Sequence, residues 1–191
     1  LSKIESEQTP TKISGRGVYL PVWTFDIAGQ LYWSAELRKN KNQWVPFTDQ
    51  KIIYHNDVKV LATRHFPKSC EDNLDRFDLS ALVPYDPRYL SAWLAESHHN
   101  TVGDASLVAR KLILDLERKT IPTDYSSPIR NLNIRTSSVI IESYKLILLP
   151  VWLCHYWMGN SRYDVVINGQ NGFVSGEFPA IKSTKGFLNL F

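Results

Sequence analysis

Apolar and polar positions alternate along this chain in a way that predicts strands at both ends and one amphipathic helix between them. Leu146 to Trp157 is the longest apolar run, rich in β-branched and aromatic residues, and Arg162–Ile167 and Phe173–Phe178 are two shorter strand-like runs. Between the last two, Asn168-Gly169-Gln170-Asn171-Gly172 supplies residues that tolerate positive φ, so a tight reversal within a three-stranded antiparallel meander is expected. The amino-terminal third repeats the theme. Val18–Phe25 and Gln30–Leu37 read as strands about a hairpin at Asp26–Gly29, and Gln43–Tyr54 and Val58–Thr63 as strands about His55-Asn56-Asp57. Pro21 and Pro46 cannot donate to a ladder and belong at edges, bulges or strand starts. Ile129–Lys145 alternates as a long strand feeding the apolar run.

The middle of the chain changes period. Thr101-Val-Gly-Asp104 resembles a capping box with the shorter acid, and Ala105, Val108, Ala109, Leu112, Ile113 and Leu116 then share one helical face, with Arg110, Lys111 and Arg118 on the other. Arg118-Lys119 suit the carboxyl end of that helix and Pro122 stops it. Ahead of it, Phe66–Glu96 reads as a connector of short helical turns in which Pro84-Tyr-Asp-Pro87 forces an extended path. Tyr89, Leu90, Trp93 and Leu94 are expected to lie across the sheet. Leu20-Pro-Val-Trp23 recurs as Leu149-Pro-Val-Trp152, which suggests two equivalent β-units clasping a helix. The expected fold class is therefore α+β: two antiparallel β-meanders packed around one main helix at about 101–119. One domain is assigned to residues 18–179, with a linker at 1–17 and a tail at 180–191 leading to a membrane or a further segment.

Composition adds few constraints. With 191 residues, 43% hydrophobic, 21% charged and 12% aromatic, the chain suits one ordinary core weighted toward sheet. A formal charge of +3 and a pI near 8.8 would ease contact with phosphates, but the basic residues are scattered. Cys70 and Cys154 form neither a disulfide framework nor a paired-cysteine ribbon, which reads as two free thiols in a reducing compartment. No apolar run reaches the roughly 18 residues of a membrane span, and the first residues lack a signal-peptide centre. A start without Met and an apolar finish at Gly186–Phe191 read as a piece of something longer.

Templates for chemistry mostly fail. The soft ligands His65, Cys70, His98, His99, Cys154 and His155 show no close zinc spacing, so neither metal nor cofactor is expected, and no catalytic residue is assigned. In the strand carrying them, Cys154 is expected to face the core and His155 the other side. No G-x-S-x-G occurs, a Cys70–His65 dyad has only proximity in its favour, and Glu71, Asp72, Asp75 and Asp78 read as a solvated acidic face. Gly15-Arg16-Gly17 precedes a strand rather than a helix, and no phosphate-loop motif occurs, so the segment is not a helicase motor. What remains is a candidate interaction surface of Trp33, Trp44, Tyr54 and Trp157 beside Lys39, Lys41 and Lys51. It would serve either as a stacking platform for nucleic acid or as a protein-binding patch.

Several segments together resemble a family of uncharacterised bacterial proteins. They are Tyr19-Leu-Pro-Val-Trp23-Thr-Phe-Asp26 with Tyr32-Trp33-Ser34, Asp78-Leu-Ser-Ala-Leu-Val-Pro-Tyr-Asp-Pro-Arg-Tyr-Leu90, and Leu148-Leu-Pro-Val-Trp152 with Val166-Ile-Asn-Gly-Gln-Asn-Gly172 and Gly176-Glu177. The resemblance runs from about Val18 to Pro179. Members often carry a zinc ribbon upstream, some have membrane helices downstream, and some bear primosomal or helicase-like labels. Several look to be encoded beside SPFH-domain or phage-shock proteins. The resemblance implies a non-catalytic scaffold or adaptor joining a zinc ribbon or membrane anchor to protein partners, in the cytoplasm or tethered to the inner membrane face. This chain holds no ribbon, and the resemblance brings no catalytic residues. A nucleic-acid-binding accessory domain is the alternative reading, and a hydrolase with an unrecognised site the third. No small-molecule substrate is identified.

Overall fold

The computed structural model describes residues 10–64, 66–91, 93–136 and 138–179. Seven strands occur among them: β1 (Thr11–Asn40), β2 (Gln43–Leu61), β3 (Leu94–Ala95), β4 (Ile129–Arg135), β5 (Val139–Met158), β6 (Ser161–Asn168) and β7 (Val174–Gly176). One α-helix, α1 (Val102–Thr120), accompanies short 3-10 turns at Lys68–Arg76, Leu79–Ala81, Pro87–Ser91 and Ile121–Asp124. The class is α+β with a predominantly antiparallel sheet. The described residues form two compact units, one holding 10–18, 66–94 and 150–179, the other 19–64 and 95–149.

In the second of these units, β1 runs antiparallel to β2 from Val22↔Leu61 to Asn40↔Gln43 and to β4 from Tyr32↔Arg135 to Leu37↔Ile129. The expected hairpin at Asp26–Gly29 does not form. That stretch is a bulge within a continuous β1, marked by the register shift between Phe25 and Ile27. His55-Asn56-Asp57 likewise bulges within a continuous β2, with Asp57 at φ 54° and its N–H donating to Asp26 Oδ1 at 3.0 Å. Ser143 Oγ donates to the other oxygen of Asp26, which lowers that carboxyl's pKa; the Asp57 N–H adds to the effect. Asp26 and Gly29 in one place and Asn56-Asp57 in the other announced a local break; the break is a bulge and not a reversal.

The helix starts as its sequence predicts, Thr101 Oγ1 accepting from the Asp104 N–H at 3.2 Å. It packs within this unit, against β2, β4 and the Ile121–Asp124 turn. Its buried stripe is narrower than expected, however: Ala105, Ala109, Ile113 and Glu117 face the sheet, while Val108, Leu112 and Leu116 stay 44–48% exposed. Two alanines allow the backbone to approach the sheet closely, and the larger side chains are displaced to the flank. The core beneath gathers Phe25, Ile27, Leu31, Ile53, Val60 and Val139, and a second cluster joins Trp33, Ala35 and Ile121.

In the other unit, the latter part of β5 pairs with β6 from Val151↔Asn168 to Met158↔Ser161, and β6 pairs with β7, the meander expected there. The two Leu-Pro-Val-Trp copies are used alike within their own units. Pro21 O accepts from Ala62 N at 3.0 Å beside the Val22↔Leu61 pair; Pro150 O accepts from Gly169 N at 2.8 Å beside Val151↔Asn168. In each case the carbonyl of the proline, which cannot donate, closes the last rung of a hairpin. The linker expected up to residue 17 is shortened by β1, which begins at Thr11; residues 1–9 and the tail 180–191 lie outside the described residues.

Candidate functional site

Strand alternation sorts β1, β2 and β4 into two faces. Leu31, Trp33, Ala35, Ile53 and Lys51 turn toward α1, so Tyr32, Ser34, Glu36, Arg38, Trp44, Thr48, Gln50, Ile52 and Tyr54 turn away from it. Paired to that open face from β4 are Arg130 (opposite Glu36) and Arg135 (opposite Tyr32). Tyr54 is 71% exposed, Ile52 65% and Tyr32 40%, and the Arg135 side chain is exposed as well. Arg130 stacks 4.3 Å from the centroid of Trp44 and donates to Glu36 at 2.5 Å. Arg38 donates to Lys41 O at 2.8 Å and so stiffens the hairpin tip that carries Lys39 and Lys41. A shallow depression of about 410 Å³ opens beside Tyr32, Ser34, Thr48, Gln50 and Arg135.

This arrangement corrects the expected surface at three positions. Trp33 is buried (4% exposed), its indole packed edge-on against Tyr125 and tilted against Phe47, and offers no ring face to a ligand. Lys51 points under α1 and is spent on Glu117. Trp157 is half-buried on β5 of the other unit and already engaged. Trp44, Tyr54, Lys39 and Lys41 do occupy one strand pair. The sequence reading missed Tyr32, Arg130 and Arg135. The signal was there: once Trp33 is taken as core, alternation puts both its neighbours on the open face.

Beneath α1 lies a buried polar cluster that the sequence did not announce. Glu117 is 4% exposed, yet it accepts from Lys51 Nζ at 2.6 Å, contacts His55 Nε2 at 2.9 Å and accepts from Thr120 Oγ1 at 3.2 Å. Burial alone would raise its pKa; the Lys51, His55 and Thr120 hydrogen bonds and the Lys51 charge outweigh it, so the carboxyl ionises below the ordinary glutamate range. Lys51 is also 3.6 Å from Asp124. Every charge in this cluster has a partner, which marks it as a structural tie between β2 and α1. Close by, the Tyr125 hydroxyl donates to Asp49; burial and that hydrogen bond push the phenol up to about 12, while the same hydrogen bond and the Gln50 N–H hold Asp49 below the usual carboxylate range.

In the unit holding β6 and β7, the Asn-Gly-Gln-Asn-Gly turn does more than reverse the chain. Asn168 Oδ1 accepts from the N–H groups of Gln170 and Asn171. Gln170 pairs with the backbone of Asp78 in both directions, accepting from its N–H at 2.7 Å and donating to its carbonyl at 2.9 Å. Asn171 Nδ2 donates to Arg76 O at 2.7 Å, and the Arg76 guanidinium lies over Phe173. Asn73, fully buried, donates to Val166 O and Phe173 O at 3.3 Å and to Ser175 Oγ at 2.9 Å. The turn therefore clamps the connector. Gln170→Ala removes two exposed hydrogen bonds and should cost about 1–2 kcal/mol. The check is a lower denaturation midpoint together with faster hydrogen exchange at the Asp78 amide.

Downstream of the clamp, the connector is ordered but uncovered. Asp78 caps Leu79–Ala81 by accepting from Ser80 N, and Asp86 accepts from Arg88 N at 2.9 Å and from its guanidinium at 2.5 Å. Yet the turns at Leu79–Ala81 and Pro87–Ser91 bury no residue, and Val83 is 64%, Tyr85 65% and Tyr89 49% exposed. The expectation that Tyr89 and Leu94 lie across the sheet is corrected accordingly; Leu94 is 74% exposed. Trp93 does pack, edge-on to Trp152 at 5.0 Å and over Gly17, where any side chain would collide with its ring.

The cysteine and histidine expectations resolve as follows. Cys154 and His155 are both half-buried, Cys154 lies against Gly15, and burial pushes its thiol up, leaving it little thiolate. His65 and the side chain of Cys70 lie outside the description. Among the described residues no three His, Cys, Asp or Glu side chains converge. No described helix is long and apolar enough to cross a membrane.

Compared with known proteins, the chain is similar to the uncharacterised protein YdjG of Bacillus subtilis strain 168, with 24% identity over 179 residues that cover 85% of this chain and 51% of YdjG. It thus spans about half the length of that curated relative. No protein-family model matches the chain, and no solved structure does.

Proposed function

We propose that the chain is a non-catalytic adaptor module that docks a protein partner on the connector Leu79–Leu90. One observation carries this reading: a segment rich in Leu, Val, Pro and Tyr is fixed at Asp78 and turned locally by Asp86, yet leaves most of its apolar side chains in solvent. Soluble surfaces seldom hold such a cluster without a use for it, and Tyr and Arg are the residues that anchor interfaces. The lowered pKa values of Glu117, Asp26, Asp78 and Asp86 each trace to a structural hydrogen bond, which favours docking over bond chemistry. The coverage of about half of YdjG agrees with a module of a longer polypeptide, as would a ribbon or membrane anchor beside it.

A photo-crosslinking residue placed at Tyr85 of the full-length protein in its own cells should yield one discrete protein adduct. The same residue at Ile13, which is 74% exposed, should yield none, and Val83→Asp should abolish the Tyr85 adduct. Absence of the adduct, or equal labelling at both positions, would refute the reading.

A further inference from the structure

The open face of β1, β2 and β4 carries a second surface with its own chemistry, and we infer that it binds single-stranded nucleic acid. Three features converge there. Tyr32 and Tyr54 stand exposed on neighbouring strands with their rings free for stacking, and Trp44 adds an indole already layered under Arg130. Cations flank the rings: Arg135 opposite Tyr32 at one end, Arg38 opposite Trp44 at the other and Arg130 between, with Lys39 and Lys41 exposed at the hairpin tip beyond. The single acidic side chain among these rows, Glu36, is neutralised by Arg130. Asp49 also borders the depression, but its carboxylate is held by Tyr125 and the Gln50 N–H.

Neutral donors and acceptors fill the remaining positions. Ser34, Thr48 and Gln50 border the depression beside Arg135, where a base edge would meet a hydroxyl or amide while its phosphate meets the guanidinium. From Tyr32 to Asn40 the strand rises about 27 Å, enough for several nucleotides and within the range of single-stranded sites on other sheet platforms. Exposed rings stack on bases only where these are unpaired, which favours a single strand over a duplex. An acidic peptide would satisfy the cations but leave the exposed rings unused.

The test uses fluorescein-labelled oligo-dT of about 20 nucleotides and fluorescence anisotropy, with a duplex of equal length and phosphatidylserine-containing vesicles in parallel. Binding to the single strand should weaken more than tenfold between about 50 and 200 mM salt. Tyr32→Ala with Tyr54→Ala should weaken it at least tenfold. Arg135→Gln should weaken it and flatten the salt dependence by about one phosphate contact. Lys111→Gln, an equal charge loss on the exposed side of α1, should leave binding unchanged. Thermal melts of each variant exclude unfolding. No binding at low salt, an unaffected tyrosine pair, an equal loss in Lys111→Gln, or preference for duplex or vesicles would overturn the assignment. These results are independent of the crosslinking at Tyr85, so either reading can fail alone.

Discussion

Gly29→Ala is expected to destabilise the protein by about 4 kcal/mol, lowering Tm by roughly 10 °C, more than any other single methyl addition to β1 or β2. Gly29 sits at φ +151°, a conformation L side chains rarely adopt, directly after the bulge at Asp26. A Cβ there would also overlap the Ser138 carbonyl oxygen and come within 2.8 Å of Val139 Cα. Neither neighbour is a movable side-chain end. Ser138 O accepts from Gln30 N at 3.4 Å, and Val139 belongs to the core under α1, so backbone relief would cost a rung of the ladder or core packing. Thermal denaturation of Gly29→Ala beside Gly103→Ala, where a Cβ meets nothing closer than 3.7 Å, isolates the effect. Equal stability of the two variants would show that β1 and β5 do not approach as described.

Glu117→Ala should cost about 3 kcal/mol, because it strips the partner from Lys51 and His55 together under α1. Lys51 keeps 32% side-chain exposure and can recover some solvation, which holds the loss below that of a fully sealed ion pair. Glu117→Gln should recover part of it, since the amide still hydrogen-bonds but presents no charge to Lys51. The acid limb separates these cases. The folded pKa of Glu117 lies below its unfolded value, so its contribution is complete above the unfolded glutamate pKa and disappears as pH falls through the folded one. The wild type should therefore lose stability on acidification below about pH 4 more steeply than Glu117→Gln, in urea midpoints measured from pH 3 to 7. Parallel acid limbs would mean that the cluster does not form.

How much of this was legible beforehand depends on whether the signal was local. The cap at Thr101, the reversal at Asn168–Gly172 and the strand after Pro150 rest on neighbours in sequence, and each forms where the residues indicate. Asp26–Gly29 misled because a glycine that tolerates positive φ serves a bulge as well as a hairpin. Trp33 could not be assigned to the interior until register showed it beside Leu31 and Ala35 on the helix side. Glu117 carries no local signal, since nothing adjacent in sequence reveals that Lys51 and His55 wait opposite it. The uncovered connector was hidden for a similar reason. It reads from sequence as short turns about two prolines, and nothing adjacent in sequence reveals that Val83 and Tyr85 stay mostly in solvent.

The chain passes between its two compact units four times, near residues 18, 65, 94 and 149, and three of those passages fall inside strands, the long β1 and β5 and the two-residue β3. Shortening the gene from either end therefore cannot liberate one half intact: trimming the start removes part of β1, and stopping before residue 150 cuts through β5. Anyone wishing to study the tyrosine-bearing face or the clamped connector in isolation would have to splice non-adjacent segments through new loops. Point substitutions in the uncut polypeptide are the practical way to probe the two surfaces separately.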